Sequence, residues 1–450
     1  MGILFLILFT IAEIALVVLT FTKIREKAAW RKNRTIIRIA EVVLMLLIIL
    51  LPTTHMKWRF MTALIVLLIR LLIAGIVWLV KRKDHNGLRK KPVTVISCIL
   101  SVILILFSLT PAFLFTNYNG LPTTGAYQVK EVSAILVDES RTDPFEDDGS
   151  CREVPAHFYY PENADGEYPL VIFSHGAFGY YQSNFSTYAE LVSNGYIVVA
   201  LDHPHHSFFT EDTDGKMVTV DTGFIEDVMK VSEESSDEEV FNLSQSWLKL
   251  RVDDENFVLD TIESAKKSKA LDDTWQTDEA GTVLSVLDMT DTDKIGLMGH
   301  SLGGATAVEL GRERSDISAV VDLDGTMLGE VKTVENGKNV YDSESYPIPV
   351  LDFTKETDYN DREQYKNENG YPYVNEYVTE NAKDSKTVMF AGVKHMDFTD
   401  LPLISPFLAS MLGSGDVDHT QMLGTVNGIV LNWFDYYLKN EGTLDIKAQY

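Results

Sequence analysis

The sequence predicts an α/β domain on a mostly parallel sheet, preceded by a region of about four membrane-crossing helices. Three observations carry this. From about residue 168 onward, continuous Val/Ile-rich runs alternate with helical patterns, as in a sheet buried on both faces. The apolar run 295–298 leads straight into Gly299-His300-Ser301-Leu302-Gly303, and 305–310 then reads as a helix. Four apolar stretches fill the first quarter of the chain, at about 3–22, 36–51, 60–80 and 93–116.

A helix needs about 20 apolar residues to cross a bilayer. The first, third and fourth stretches reach that length, and the second does so if Thr35 and Arg38 sit at the interface. The first stretch lacks a basic flank before it and a small-residue cleavage site after it, so it reads as a retained helix rather than a signal peptide. Lys23, Arg25, Lys27, Arg31, Lys32 and Arg34 fill the first loop. Lys81, Arg82, Lys83, Arg89, Lys90 and Lys91 fill the third, whereas the second holds Lys57 and Arg59. Positive-inside counting makes the first and third loops cytoplasmic and puts the chain after residue 117 outside. Glu13, Glu41 and Arg70 fall within spans, where Arg70 is expected to pair with a glutamate and help pack the bundle.

Charge divides the chain at the same place. Residues 1–116 hold 16 Lys and Arg against 4 Asp and Glu, a net of +12, so the whole-chain −26 leaves −38 on 117–450. A domain that acidic repels phosphates, which excludes nucleic acid as a partner. Cys98 lies in an apolar run and Cys151 in the acidic part, so no disulfide is expected between them.

Residues 117–125, rich in Pro, Gly and Asn, read as a linker to a domain over 126–450. Within it, 127–138 and 152–160 read as strands around the turn-rich 141–150, followed by buried strands at 168–176, ending in His-Gly, and 196–201 with a helix near 185–192 between them. Residues 209–246 break the rhythm as an acidic insertion, a candidate lid over a pocket mouth, with its charge run at 233–239 read as a solvated segment. An amphipathic helix is expected over 247–262 from Trp247, Leu250, Val258 and Ile262, further strands at 317–325, 348–353 and 387–392, and a last helix over 422–438.

The strand–turn–helix around Ser301 is a nucleophile elbow, which needs Gly299 and Gly303 because the turn leaves no room for side chains there. The fold class is therefore an α/β-hydrolase. A serine hydroxyl needs a base, and the base needs an acid to fix its tautomer, with chain order Ser, Asp or Glu, His. Two histidines follow Ser301. His395 follows a strand and is the candidate base, whereas His419 has no strand leading to it. Asp322, Asp324, Asp352 and Asp358 compete as the acid. Asp324 ends its strand before Gly325 and Asp358 lies after the next strand, so these two stay open. The oxyanion donors are expected to be the backbone N–H groups of Leu302 and of Ala177, in the loop His175-Gly176-Ala177 after an earlier strand. His175 and His300 read as structural. Asp202-His203-Pro204-His205-His206-Ser207 invites a metal reading, but no second ligand segment accompanies it, so it reads as a pocket-rim loop; no metal or cofactor is expected.

Ile172-Phe173-Ser174-His175-Gly176, Val199-Ala200-Leu201-Asp202-His203, Met298 through Thr306, Leu323-Asp324-Gly325 and His395-Met396-Asp397-Phe398 together resemble the platelet-activating-factor acetylhydrolase (plasma, group VII phospholipase) family of α/β-hydrolases over about residues 125–440. The resemblance implies Asp324 as the acid, Ala177 and Leu302 as oxyanion donors, and no metal. It does not extend to the anchor, the acidic insertion or Gly325-Thr326-Met327. It implies a hydrolase of short-chain acyl or phospholipid sn-2 esters, a small-molecule ester or lipid, while the apolar stretches and loop charges lead one to expect a membrane-embedded protein with this domain on the outer face of the cell membrane. An acyltransferase or amidase could use the same triad. A non-catalytic ligand-binding ectodomain or a transporter would leave it without use.

Overall fold

The computed structural model describes residues 1–22, 26–81, 87–233 and 236–450. Lys23, Arg25, Arg82, Lys83 and part of the 233–239 charge run thus lie outside the described residues. Two compact units result: Met1–Asn119 with Pro402–Met411, and Gly120–Leu401 with Leu412–Tyr450.

The first unit packs α1 (Gly2–Thr22), α2 (Lys27–Leu50), α3 (Met61–Val80) and α4 (Lys91–Ser108) around Phe5, Phe9, Met45, Phe60, Leu67 and Ile105. Three helices, not the four expected, are long and apolar enough to cross a membrane among the described residues. The exception is α2. It starts at Lys27 rather than 36, and its first half carries Lys27, Arg31, Lys32, Arg34 and Arg38. The expected 93–116 helix stops at Ser108, and a separate short helix, Thr110–Leu114, begins around Pro111, which lacks the N–H that would continue the ladder.

The internal charges of this unit pair. Glu13 accepts from Arg38 and from Arg70, Arg38 also bonds Glu41 at 2.7 Å, and Arg70 donates to Ser101 at 2.8 Å. Both basic segments sit at one end of the bundle: Arg31 donates to the Lys81 carbonyl at 2.8 Å, and the Arg89 guanidinium lies 4.0 Å over the Trp30 ring. At the other end Arg59 donates to the Phe115 carbonyl at 2.6 Å and to Asn117 at 2.8 Å, where the chain leaves the unit. Residues 402–411 join that end, with Thr116 N–H bonding the Ile404 carbonyl at 2.8 Å.

In the second unit eight strands form most of a nine-stranded sheet: β1 (Val129–Thr142), β2 (Cys151–Pro161), β3 (Tyr168–Ser174), β4 (Ile197–Leu201), β5 (Thr290–His300), β6 (Ile317–Leu323), β7 (Val350–Lys355) and β8 (Ser385–Phe390). Their spatial order is β8-β7-β6-β5-β3-β4-β2-β1, with the two-residue strand Trp275–Gln276 beyond β1. Strands β3 to β8 run parallel; β2 is antiparallel to both neighbours. Each strand alternates its side chains between two apolar layers, which is why the buried parts of β3 to β7, such as 170–173, 197–201 and 295–298, read as apolar runs. Leu170, Ile172 and Ile197 join the core against Val258 and Ile262 of α7 (Asp237–Ser268), while Phe173 stacks near Tyr188 of α5 (Phe185–Ser193).

Successive strands step one way from β3 to β4 and the other way from β3 to β5. The chain therefore reverses at the C-terminal edge between β3 and β5, where an open parallel sheet leaves a crevice. The acidic insertion becomes a hairpin (Phe209–Glu211 with Met217–Thr219), α6 (Thr222–Glu233), and the beginning of α7. Ser236 caps α7 by accepting from Glu239 N–H at 3.3 Å, and Asp237, Glu238 and Glu239 in the first turn complement the helix dipole. Helix α7 thus runs well beyond the expected 247–262. The segment expected as a linker is partly docked: Thr124 N–H bonds Glu190 at 2.9 Å, and Gly125 lies where a Cβ would come within 2.0 Å of the Ser193 carbonyl oxygen. Cys98 and Cys151 are both free thiols.

Candidate active site

Strand β5 ends at His300 and α8 (Leu302–Glu313) begins one residue later, leaving Ser301 between them at φ 55° and ψ −122°. A side chain pays steric cost at such a φ, and the glycines beside Ser301 show how tightly the turn is packed. A Cβ on Gly299 would come within 2.1 Å of the Gly303 backbone, and one on Gly303 within 2.0 Å of the Ser174 carbonyl oxygen. Gly304 is confined as well, by the Asp322 carboxylate. Backbone bonds hold the turn on both sides: Ser301 N–H to the Leu323 carbonyl at 3.0 Å, and Ala305 N–H to the Ser301 carbonyl at 3.1 Å.

Ser301 lines a cleft of about 230 Å³. Ala177, Leu302, Asp324 and His395 line it too. His395 sits in a short turn (His395–Phe398) after β8, and its Nδ1 is 2.7 Å from Asp324 Oδ2. Asp324 itself has φ 55°, donates its N–H to the Phe353 carbonyl at 3.0 Å and accepts from Lys355 N–H at 3.2 Å. The carboxylate acceptor fixes the proton on Nδ1, leaving Nε2 as a proton acceptor. Ser301 Oγ makes no hydrogen bond among the described residues. The N–H groups of Ala177 and Leu302 have no partner among the described residues.

The other candidates are engaged elsewhere. Asp358 pairs with Lys355 at 2.9 Å, and Asp352 with Arg362 at 3.1 Å. Burial pushes the Asp322 carboxyl well above its usual range, helped by Asp352, and it accepts from Gly325 N–H at 2.9 Å. His419 Nε2 meets Asp397 at 3.0 Å. His300 is buried, pushed down to about 3 by desolvation and by His395, and its Nε2 lies 3.2 Å from the His395 carbonyl oxygen. In the 202–207 loop His203 bonds Asp254 at 3.0 Å, His205 stacks on Phe145 and His206 on Phe224, so each ring has a partner within the fold.

Sequence reading missed what holds the His395 turn. Asp400 accepts from Ser186 N–H at 2.8 Å and from its hydroxyl at 2.5 Å, while Asn184 donates to the Phe398 carbonyl at 2.6 Å. Full burial pushes Asp400 up to about 7. A carboxyl pKa raised by folding adds stability below its unfolded value, about 3.9, and that stability is lost as pH rises through the folded value. The wild type is therefore expected to lose a few kcal/mol between about pH 4 and 7 from this group. In Asp400→Asn that part of the slope should vanish, as read by urea unfolding across the range.

Helix α6 and the middle of α7 cover the crevice. Phe224 packs with Trp247, Leu248, Leu302 and Ala305, against Ala177, Phe178 and Val228. The lining of the cleft includes apolar side chains (Val228, Trp247, Leu328) and polar or charged ones (Lys355, Asp358, Arg362, Tyr373).

The elbow, the sheet order and the crevice at its reversal define an α/β-hydrolase. A solved ferulic acid esterase from Streptomyces cinnamoneus shares this fold, with a TM-score of 0.51 at 20% identity, covering 72% of this chain and 95% of that one. The family model for platelet-activating factor acetylhydrolase, isoform II, matches residues 149–443, and the chain belongs to that family. Its relatives include platelet-activating factor acetylhydrolases of Cavia porcellus (25% identical over 65% of this chain and 63% of the relative) and Bos taurus (26% over 60% and 57%). The match to the Canis lupus familiaris protein is 30% identical over 39% of this chain and 38% of the relative. The aligned part thus spans under two thirds of these relatives' length.

Proposed function

We propose that this chain is a membrane-attached serine hydrolase of carboxylic esters. The observation that carries the reading is the 2.7 Å contact between Asp324 and His395 in a cleft that also holds Ser301 on its strained turn. In this reading His395 Nε2 takes the proton as Ser301 Oγ attacks the ester carbonyl, and the N–H groups of Ala177 and Leu302 bind the resulting oxyanion. His395 then protonates the departing alcohol, and a water molecule, activated by the same ring, releases the acid. Asp324 holds the ring and stabilises its cation.

The cleft, about 230 Å³, is smaller than pockets for drug-sized ligands, about 300–1,000 Å³. Together with its mixed apolar and polar lining, this supports a short acyl group on a polar alcohol, including the sn-2 position of a phospholipid. The names of the relatives favour the same class. A fluorophosphonate is expected to label Ser301, and p-nitrophenyl acetate and butyrate to be turned over faster than the hexadecanoate. Absence of labelling, or preference for the long chain, would sink the reading.

The catalytic unit lies, in this proposal, on the outer face of the cell membrane. The support is that both basic segments gather at one end of the helical unit while the chain departs at the other. An antibody against a tag after Tyr450 should then bind intact cells.

A further inference from the structure

We propose that Arg251, on α7 and not among the residues lining the cleft, is a positioning residue that fixes the oxyanion loop. This rests on the serine-hydrolase reading above. The loop needs holding. A Cβ on Gly176 would lie 2.8 Å from His300 Nδ1 and 3.1 Å from Ser301 Cβ, so the backbone is pressed onto the elbow, and Phe178 follows at φ 62°.

Two consecutive peptide planes are pinned from behind. Arg251 Nη1 donates to the His175 carbonyl in a short contact, fixing the 175–176 peptide. The Gly176 carbonyl accepts from His175 Nδ1 at 2.6 Å and from Gly179 N–H at 3.0 Å. That carbonyl and the Ala177 N–H belong to one trans peptide, so holding the oxygen on one side directs the N–H to the other, toward the cleft. With the proton on Nδ1, His175 Nε2 accepts from Ser207 Oγ at 2.7 Å. Burial and the Arg251 charge keep His175 well below its usual pKa, and therefore neutral, as this bonding requires.

Arg251 is a costly way to fill space. It is fully buried, its Nη2 has no partner among the described residues, and neither does Glu255 Oε1 beside it. Its second bond is Nε to His206 Nδ1 at 3.3 Å. An apolar side chain of the same length would pack the site without a desolvated cation. What it could not supply is a donor to the His175 carbonyl with positive charge behind the loop. Spacing on α7 fits the purpose: Arg251, Asp254 and Glu255 lie on one face, and Asp254 takes Arg152 at 2.8 Å and His203 at 3.0 Å, tying down the loop after β4.

The test uses the full-length chain in detergent, with active sites titrated by a fluorophosphonate and turnover of p-nitrophenyl acetate expressed per titrated site. In Arg251→Met, kcat per site should fall about 10²-fold with KM within about twofold, the size of effect seen when an oxyanion donor is lost. The phosphonylation rate should fall in parallel, because the phosphonyl oxygen enters the same hole. Arg251→Lys, which keeps the charge and a donor, should recover about tenfold of that loss. If Arg251→Met does not fold, Ser207→Ala decides: it removes the donor to His175 and should lower kcat about tenfold at unchanged KM. Folded variants with kcat per site close to wild type would overturn the positioning role while leaving the hydrolase reading intact. Failure of the wild type to label at Ser301 would overturn both.

Discussion

Ser301→Ala is expected to lower kcat for p-nitrophenyl acetate by at least about 10⁴-fold while leaving the fold intact. The size follows from the mechanism. Without Oγ no acyl-enzyme forms, and only water attack within the oxyanion hole remains. Fold should survive because Ala meets the same backbone demand at φ 55° as Ser does, and because the backbone bonds that close the turn, Ser301 N–H to Leu323 and Ala305 N–H to Ser301, involve no side chain. Thermal unfolding of the purified variant, next to its residual turnover, checks both halves. Retained turnover at the wild-type rate would remove Ser301 from the chemistry.

The second large effect separates two carboxylates. Asp324→Asn is expected to lower kcat by about 10⁴-fold, because an amide facing Nδ1 no longer holds the tautomer or balances the imidazolium. Asp358→Asn should stay within about threefold, since Asp358 pairs with Lys355 rather than His395. The pair of variants is informative because Lys355 touches both: its N–H donates to Asp324 Oδ1 at 3.2 Å and its ammonium lies 3.7 Å from Oδ2. If Asp358→Asn were the more damaged of the two, the acid would have to be reassigned.

How much of this could be read from the chain depends on the kind of constraint. The elbow was legible because it is negative information: Gly299 and Gly303 mark places where any side chain collides. The central strands were legible because a sheet covered on both faces writes itself as apolar runs. Asp324 against Asp358 stayed open from residue order, since both lie near the C-terminal edge; only the side-chain direction distinguishes the one facing His395. The 36–51 stretch is only the apolar half of its helix, which extends back through four further cationic residues to Lys27 and so does not make a fourth apolar span. Arg251, Asp254 and Glu255 were illegible for a plainer reason. Charged residues in a helix ordinarily face water, and three that face inward leave no mark in a hydrophobic pattern.

That inward face has one further result. Ser174 Oγ lies 2.8 Å from His203 Nε2, and His203 Nδ1 lies 3.0 Å from Asp254. Atom for atom this second Ser–His–Asp array has the bonding of a charge-assisted nucleophile, with the joining contact already made. Yet all three side chains are sealed from solvent, and burial holds His203 down to about 4, a poor home for an incoming proton. The arrangement alone is therefore not enough for a reactive serine, which also needs access to substrate and a base that can take up a proton. The stoichiometry should say so: one phosphonyl group per chain, carried on Ser301, with Ser174 untouched until the protein is unfolded.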